Sequence, residues 1–487
     1  MSLRLLGKNT AIYAIGNVGT RAAAFLLLPL YTHCLSVKDY GLLATLLISV
    51  ELMVVFMSAG TRDSLIRLFH EYESKNRIGT LLGTSILINV AAGFAVALAC
   101  ALFLMPFFRT TLHADDIGIY IALSCSMALA QSLCLLIMSY FRARNESTRF
   151  MIIALCSTFL SIGLNLLLVR GFHLGIKGVL IAQTATYGAI FLLVSLSIFP
   201  TTGINVSFPL ILAILRFTSP LVVSMACESV MESSSLYFLS RFSGLEHVAI
   251  YSLGFKFASI VSVILLLPFE YAFPPFVFAN IGKPGTRRTI SRALTYLVIG
   301  SAFAVLLVSS ASRLLIPLCA PPEYSRCYVV LLLLLPAFVF MGLGAFGKTL
   351  LHINKKSYIT GSVAASFAVL NLILNYVLVP RYGFYGSIIA TDVTLMLAGL
   401  ATFALGLREY PVPFEKKRLL ISSGLLIFFL LMLLVFQNAT PMLFRTAILF
   451  SAGLAVVFLV RSRFFYHEEI RAIRNLILRL RQMKRAV

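Results

Sequence analysis

Charge is scarce in this chain of 487 residues, and tryptophan is missing altogether. Only 12% of residues are charged against 60% hydrophobic. That balance excludes an ordinary soluble globule, which could not cover so much apolar surface. Acidic residues are the rarer charge, 18 against 40 lysines and arginines. A net charge of +22 suggests a nucleic-acid partner, but the cations fall in alternate loops and in the tail, as membrane topology requires. No nucleic acid is therefore expected. The eight cysteines are scattered, mostly inside apolar runs, without metal-ligand spacing. No metal and no cofactor is expected. Cys319 and Cys327 flank one short loop, either as a disulfide in an oxidising compartment or as two free thiols. Long polar loops are missing too, so no soluble domain exists to hold an active site. The predicted outer loops are all short, and the chain is not read as an enzyme. Without tryptophan, any interfacial belt falls to tyrosine and phenylalanine.

What is present is a series of apolar runs. They predict an all-α, polytopic membrane protein with fourteen spans. The spans fall at 9–31, 40–60, 80–106, 117–141, 150–170, 176–199, 209–240, 247–273, 292–317, 327–350, 358–379, 384–407, 419–436 and 441–461. The first run is full length with no small-residue cleavage site after it, so it reads as a span and not a signal peptide. Twenty-eight cations fall in the termini and the loops of one side, nine on the other, and Arg21, Lys256 and Lys348 inside spans. The asymmetry places both termini in the cytoplasm.

The chain also repeats itself. LSVKDYG (35–41) resembles SGLEHVAIY (243–251), with Asp39 opposite Glu246. ARNES (143–147) falls on INKKS (353–357), LNLLLV (164–169) on LNYVLV (374–379), and GIKG (175–178) on GFYG (383–386). The offsets are 207, 210, 210 and 208 residues. Six spans separate the copies, so both halves have the same orientation. This predicts two six-helix lobes, 1–205 and 206–410, related by a pseudo-twofold axis along the membrane normal, with a central cavity between them. The last two spans (411–461) and a tail (462–487) are extra. In the tail, Ile470, Ile473, Ile477 and Leu480 recur at helical spacing between arginines. It reads as an interfacial helix on anionic lipid or as a solvated basic end, as does the shorter piece Ser64–Tyr72.

Several blocks resemble polysaccharide-unit flippases of the Wzx (O-antigen) type, in the multidrug/oligosaccharidyl-lipid/polysaccharide (MOP) exporter superfamily. They are KNTAIYAIGN (8–17), FLLLPLYTHCLSVKDYG (25–41), MSAGTRDSLIRLF (57–69), LRFTSPLVVS (215–224) and SGLEHVAIYSLGFKFASI (243–260), followed by Pro274–Pro275. The resemblance implies translocation of an undecaprenyl-diphosphate-linked oligosaccharide across a bacterial inner membrane, for surface polysaccharide such as lipopolysaccharide. It implies a groove for the lipid tail in the last two spans, polysaccharide polymerase machinery as a partner, and coupling to Na+ or H+. A lipid II flippase and a multidrug exporter of the same superfamily are the alternatives. One departure is that Ser235–Leu236 stand where the family commonly has an Asp-Arg pair.

A flippase must carry an anionic head group through hydrocarbon, so charges inside spans are its candidate site. Counting 1.5 Å per residue places Arg21 and Glu51 near the midplane, and Glu228, Lys256 and Asp392 in the outer half. Glu270 and Lys348 lie close to cytoplasmic ends, where snorkelling or capping is the simpler reading. Glu228 and Glu232 share a helix face. The 207-residue offset maps Arg21 onto Glu228, so both are expected to face one cavity. Arg21 and Lys256 are the candidates for meeting the diphosphate. Glu51, Glu228, Glu232 and Asp392 are the candidates for poising them or holding a coupling ion. Structural pairs Arg21–Glu51 and Glu228–Lys256 are the competing expectation.

The topology is tested by cysteine accessibility in intact cells, in a background cleared of exposed native cysteines. An impermeant reagent should label cysteines placed in 111–116 and 321–326. It should not label Gly285→Cys, and labelling there from outside overturns the orientation.

Overall fold

The computed structural model describes residues 25–104, 116–354, 356–436, 441–462 and 464, which are almost entirely helical, with no strand among them. The helices are α1 (Leu28–Cys34), α2 (Val37–Ser58), α3 (Thr61–Ser74), α4 (Ile78–Ala99), α5 (Ile117–Ala143), α6 (Ser147–Asn165), α7 (Gly175–Thr202) and α8 (Phe208–Phe242). They continue with α9 (Leu245–Ala258), α10 (Leu267–Asn280), α11 (Thr286–Cys319), α12 (Cys327–Ile353), α13 (Ser357–Tyr382), α14 (Phe384–Glu409), α15 (Lys416–Val435) and α16 (Pro441–Arg461). Among the described residues twelve helices are long and apolar enough to cross a bilayer, and they match the second to thirteenth expected spans. The helix α16 holds the fourteenth, and α1 is the described end of the first. The chain is an all-helical polytopic membrane protein. The tail residues Ile470, Ile473, Ile477 and Leu480 lie outside the described residues.

Local chemistry sets the helix ends. The Ser36 hydroxyl accepts from the Asp39 amide at 3.1 Å and donates to the Asp39 carboxylate at 2.7 Å, capping α2. Asp39 also stands in the first turn, where a carboxylate suits the helix dipole, as Glu246 does in α9. Left-handed residues Ala59 and Gly60 end α2 and turn the chain into α3. The α3 residues Leu65 and Phe69 are fully buried, in a cluster with Tyr140 and Phe141. Its apolar face is therefore spent on the protein, which corrects the two readings of Ser64–Tyr72 as a lipid-surface helix or a solvated basic end.

Helix starts recur down the chain. Val37 and Leu245, Ile78 and Thr286, Ile117 and Cys327, Ser147 and Ser357, and Gly175 and Phe384 begin helices at offsets of 208, 208, 210, 210 and 209. The recurrence extends to packing. A Cβ on Gly178 would meet the Leu168 carbonyl oxygen at 3.1 Å, and one on Gly386 would overlap the carbonyl oxygen of Leu378. Leu168 and Leu378 are themselves 210 apart, so each half uses a glycine to bring one helix start against the preceding helix end. The loops differ in charge. Glu146 pairs with Arg144 at 3.1 Å and Arg149 at 2.9 Å, while Lys356 at the matching position pairs with Glu409 at 2.8 Å. That carboxylate holds the Lys356 ammonium above its ordinary range.

By internal contacts the chain forms two compact units: Met1–Pro275 with Leu314–Pro411, and Phe276–Arg313 with Val412–Val487. The first contains most of both repeats. The second has its own core of Ile299, Leu459 and Phe464, with Phe303, Ile421 and Leu425 packed against it.

Gly386→Ala should lower stability by about 1–3 kcal/mol, because the new methyl meets backbone that cannot give way. Gly163→Ala, with nothing within 4 Å of its Cβ, should not destabilise. Thermal unfolding midpoints in detergent compare the two.

Candidate functional site

Within the first compact unit the two repeats meet at more than one level. Gly41 of α2 lies so close to α9 that a Cβ would overlap the Leu245 carbonyl oxygen. Lys256 of α9 donates to the Tyr40 hydroxyl at 3.3 Å, with its ammonium 5.4 Å from the centre of that ring. Tyr40 packs edge-on against Tyr324 at 5.8 Å, and the Tyr237 hydroxyl donates to Ser49 at 2.8 Å. The Thr32 hydroxyl bonds the Cys319 carbonyl. Most of these residues sit toward the ends of helices facing away from the cation-rich loops. On the cation-rich side Arg67 of α3 stacks 4.0 Å from the ring centre of Phe217, near the start of α8. Cys319 and Cys327 are both free thiols.

The candidate charges fall into separate places. Arg21 lies outside the described residues. Glu51 is exposed on α2 and accepts from the Gln131 amide of α5 at 3.0 Å. Glu228 of α8 pairs with Lys348 of α12 at 3.4 Å, with 49% and 45% of the two side chains exposed. The expected Glu228–Lys256 pair is not formed. Lys256 faces Tyr40, on α2, whereas Glu228 faces α12. Lys348, expected to snorkel or cap, is instead an ion-pair partner.

Depth counting failed at Glu228 for a geometric reason. The helix α8 has 35 residues, about 50 Å of rise, and is longer than the hydrocarbon. Counting from its start therefore places Glu228 too far across. Lys348 is a few residues from the end of α12, so the pair lies in the half nearer the basic loops. Glu232, one turn further on, is exposed on the same helix, and Glu270 is exposed on α10. Asp392 is partly buried on α14, and its Oδ1 has no hydrogen-bond partner among the described residues.

Sequence reasoning missed a neutral polar network in the second repeat. Ser235, buried on α8, donates to Asn375 Oδ1 at 3.2 Å and lies 3.1 Å from Thr391 Oγ1. Tyr251 reaches Thr391 at 2.9 Å, Asn371 donates to Thr394 at 3.2 Å, and Ser234 bonds Asn371. The first repeat has a smaller counterpart: Tyr31 donates to Asn165 at 2.9 Å, and Asn165 to the Ser161 carbonyl at 2.8 Å. Ser161 and Asn165 are each 210 residues before Asn371 and Asn375. The signal was therefore present in the matched blocks LNLLLV and LNYVLV, whose asparagines are polar residues in apolar spans. The network satisfies polar groups that hydrocarbon cannot, and so it holds α8, α9, α13 and α14 together. It also accounts for Ser235 at the position of the missing charged pair: hydroxyl and amide groups there bond one another without a charge.

The family model described as a polysaccharide biosynthesis protein matches residues 6–279. No curated protein matches the chain. Solved structures share its fold. A lipid II flippase, MurJ, in an inward closed conformation, aligns with a TM-score of 0.70 at 16% identity, covering 93% of this chain and 99% of that one. An outward-facing multidrug resistance MATE family transporter of the MOP superfamily aligns at 0.61 and 14% identity, over 86% and 96% of the two chains. A MOP superfamily transporter from Pyrococcus furiosus aligns at 0.61 and 13%, over 83% and 95%.

Because the Glu228–Lys348 pair is half-exposed, it should contribute at most about 1 kcal/mol to stability. Lys348→Gln should leave the thermal midpoint nearly unchanged, and the exchanged pair Glu228→Lys with Lys348→Glu should fold normally. A loss of several kcal/mol in the single variant would mark the pair as buried and structural.

Proposed function

The chain belongs to the polysaccharide biosynthesis protein family, and on that premise we propose that it is a flippase. It carries an undecaprenyl-diphosphate-linked oligosaccharide repeat unit from the cytoplasmic to the periplasmic leaflet of a bacterial inner membrane, for a surface polysaccharide such as O-antigen. The observation that carries this reading is the half-exposed Glu228–Lys348 pair on spanning helices. An exposed ion pair facing lipid is costly, so its surroundings are water and polar cargo. No loop between spans is large enough to hold a catalytic domain, which favours transport over synthesis.

The mechanism is alternating access by rocking of lobes 1–205 and 206–410. The contacts at Gly41, Tyr40 and Tyr324 favour a state closed on the periplasmic side. Arg21 and Lys256 meet the diphosphate. In the closed state Lys256 is held on Tyr40, and separating the lobes releases it toward the cavity. Glu51, Glu228, Glu232 and Asp392 poise these cations or hold a coupling Na+ or H+. The polyprenyl tail lies in the groove of residues 411–461, where Phe428, Leu431, Val435, Leu443 and Phe450 line an apolar cavity of about 630 Å³. The polysaccharide polymerase machinery receives the product.

A lipid II flippase is the second reading, favoured by the fold match over nearly the whole of MurJ. Both readings move a lipid-linked cargo, so the same residues would serve. The extra helices α15 and α16 weigh against a multidrug exporter.

Complementation of strains lacking either flippase separates the readings, with membrane levels measured in parallel. Arg21→Ala and Lys256→Ala should abolish surface glycan at normal membrane levels, and Arg21→Lys should retain part of it. Normal glycan from Arg21→Ala ends the substrate role. Lost expression, rescued by neutralising Glu51 or Glu228, marks a buried structural pair, whose breakage costs about 3–5 kcal/mol.

A further inference from the structure

The second compact unit contains a pocket that shares no lining residue with the apolar cavity assigned to the polyprenyl tail. Arg288 and Ser291 of α11, residues 413–418 with Ile421 at the start of α15, and Arg461, Ser462 and Phe464 at the end of α16 enclose about 640 Å³. All three helix ends belong to the basic side, at the level where spans leave the bilayer. Five cations line the pocket: Arg288, Lys416, Lys417, Arg418 and Arg461. Among the described residues of the lining the one carboxylate, Glu415, is already engaged. It accepts from Arg418 at 2.9 Å and from Thr295 at 3.2 Å, and Arg292 lies 3.8 Å away.

Arg418 is the fixed floor of the pocket. It is 6% exposed, and its guanidinium stacks 4.7 Å from the ring centre of Phe464 and 5.3 Å from that of Tyr296. Ser291 is 2% exposed, and its hydroxyl has no hydrogen-bond partner among the described residues. The open amides of the first turn of α15 add positive potential at the same place. Arg288, Lys416, Lys417 and Arg461 have no ion-pair partner among the described residues, and all four are exposed. A buried stacked arginine, an unused hydroxyl, helix amides and an exposed rim of cations together suit a phosphate oxyanion. Phe414, 43% exposed at the rim, and Ile421 give apolar surface beside the charges, as a glycerol backbone and acyl chain need.

We propose that this pocket binds the phosphate ester of an anionic glycerophospholipid. The described lining lies wholly in the second compact unit, whereas Lys256 belongs to the first. Bound lipid would tie the starts of α11 and α15 to the end of α16.

The absence of tryptophan makes the test direct. A single Leu420→Trp, at a position 72% exposed beside the pocket, is the only indole in the protein. Its quenching is titrated in nanodiscs with brominated phosphatidylglycerol or brominated phosphatidylcholine. Phosphatidylglycerol should quench at a roughly tenfold lower mole fraction, as several basic contacts to one anionic lipid imply. Replacing Lys416, Lys417 and Arg461 by Gln should bring the two curves within about twofold. Replacing Arg77, Arg149 and Arg216 by Gln removes the same charge elsewhere on that side and should leave the preference intact. Millimolar glycerol 3-phosphate should not relieve the quenching, and relief would assign the anion to a soluble phosphate ester and overturn the lipid. Equal curves in the parent protein overturn the site. So does a preference that survives the pocket substitutions, or one that the control substitutions abolish equally.

Discussion

Hydrocarbon offers no hydrogen bonds, so every polar group carried across it needs a partner from the protein or from cavity water. In this chain the constraint is met in two different ways. Neutral groups bond one another in closed sets, such as Ser235, Asn375, Thr391 and Tyr251. Charged groups on spanning helices are instead left partly open, as Glu228 and Lys348 are. The first solution stabilises helix packing and gives no access to cargo. The second contributes little to stability and keeps charge available. The division separates scaffold from site by the physical state of the side chains, without reference to any relative.

The seam between the repeats follows from the same accounting. Gly41 lets α2 and α9 approach until backbone meets backbone, which buries Tyr40 and Tyr251. Lys256 is then the one awkward group at the seam. It finds a phenol oxygen and a ring face in place of a carboxylate. A cation–phenol contact is weaker than a buried ion pair and leaves no orphaned charge when broken. Under the proposed rocking mechanism, such a contact opens more readily than a salt bridge.

The spans, their order and the duplication were legible in the sequence, because twenty-residue apolar runs and matched loop blocks are strong signals. The recurrence of Gly178 at Gly386, with Leu168 and Leu378 beneath them, was implicit in GIKG and GFYG. Partnership was not legible. Glu228 was paired with Lys256 because both were counted into the outer half. That count took the start of α8 as the membrane surface, whereas the pairing with Lys348, near the end of α12, sets Glu228 nearer the basic loops. Which face of a helix a residue occupies depends on crossing angles, and apolar spans reveal little of those when both faces are hydrophobic. The asparagine network was overlooked for a related reason: Asn371 and Asn375 stand in different surroundings on the chain from Ser235 and Thr391, and only packing brings them together. Arg21, a candidate for meeting the diphosphate, lies outside the described residues.

The basic pocket shows that an excess of cations on one side of a membrane protein need not be only a topological signal. Most of the 28 basic-side cations satisfy the rule simply by being in short loops. Arg418 does not, because it is buried, stacked between two rings and bonded to Glu415. Orientation alone requires neither burial nor fixed geometry, and both are costly for a guanidinium. Neutralisation by Glu415 explains why Arg418 is tolerated but not why four further cations surround the same space. Mutual repulsion among them disfavours the empty pocket, and a bound phosphate ester would reverse its sign. The same argument applies to the flipped head group, whose diphosphate would compensate cations in the cavity. On this reading the protein meets phosphate twice: transiently in transport, and persistently at the helix ends that anchor its second unit in the leaflet.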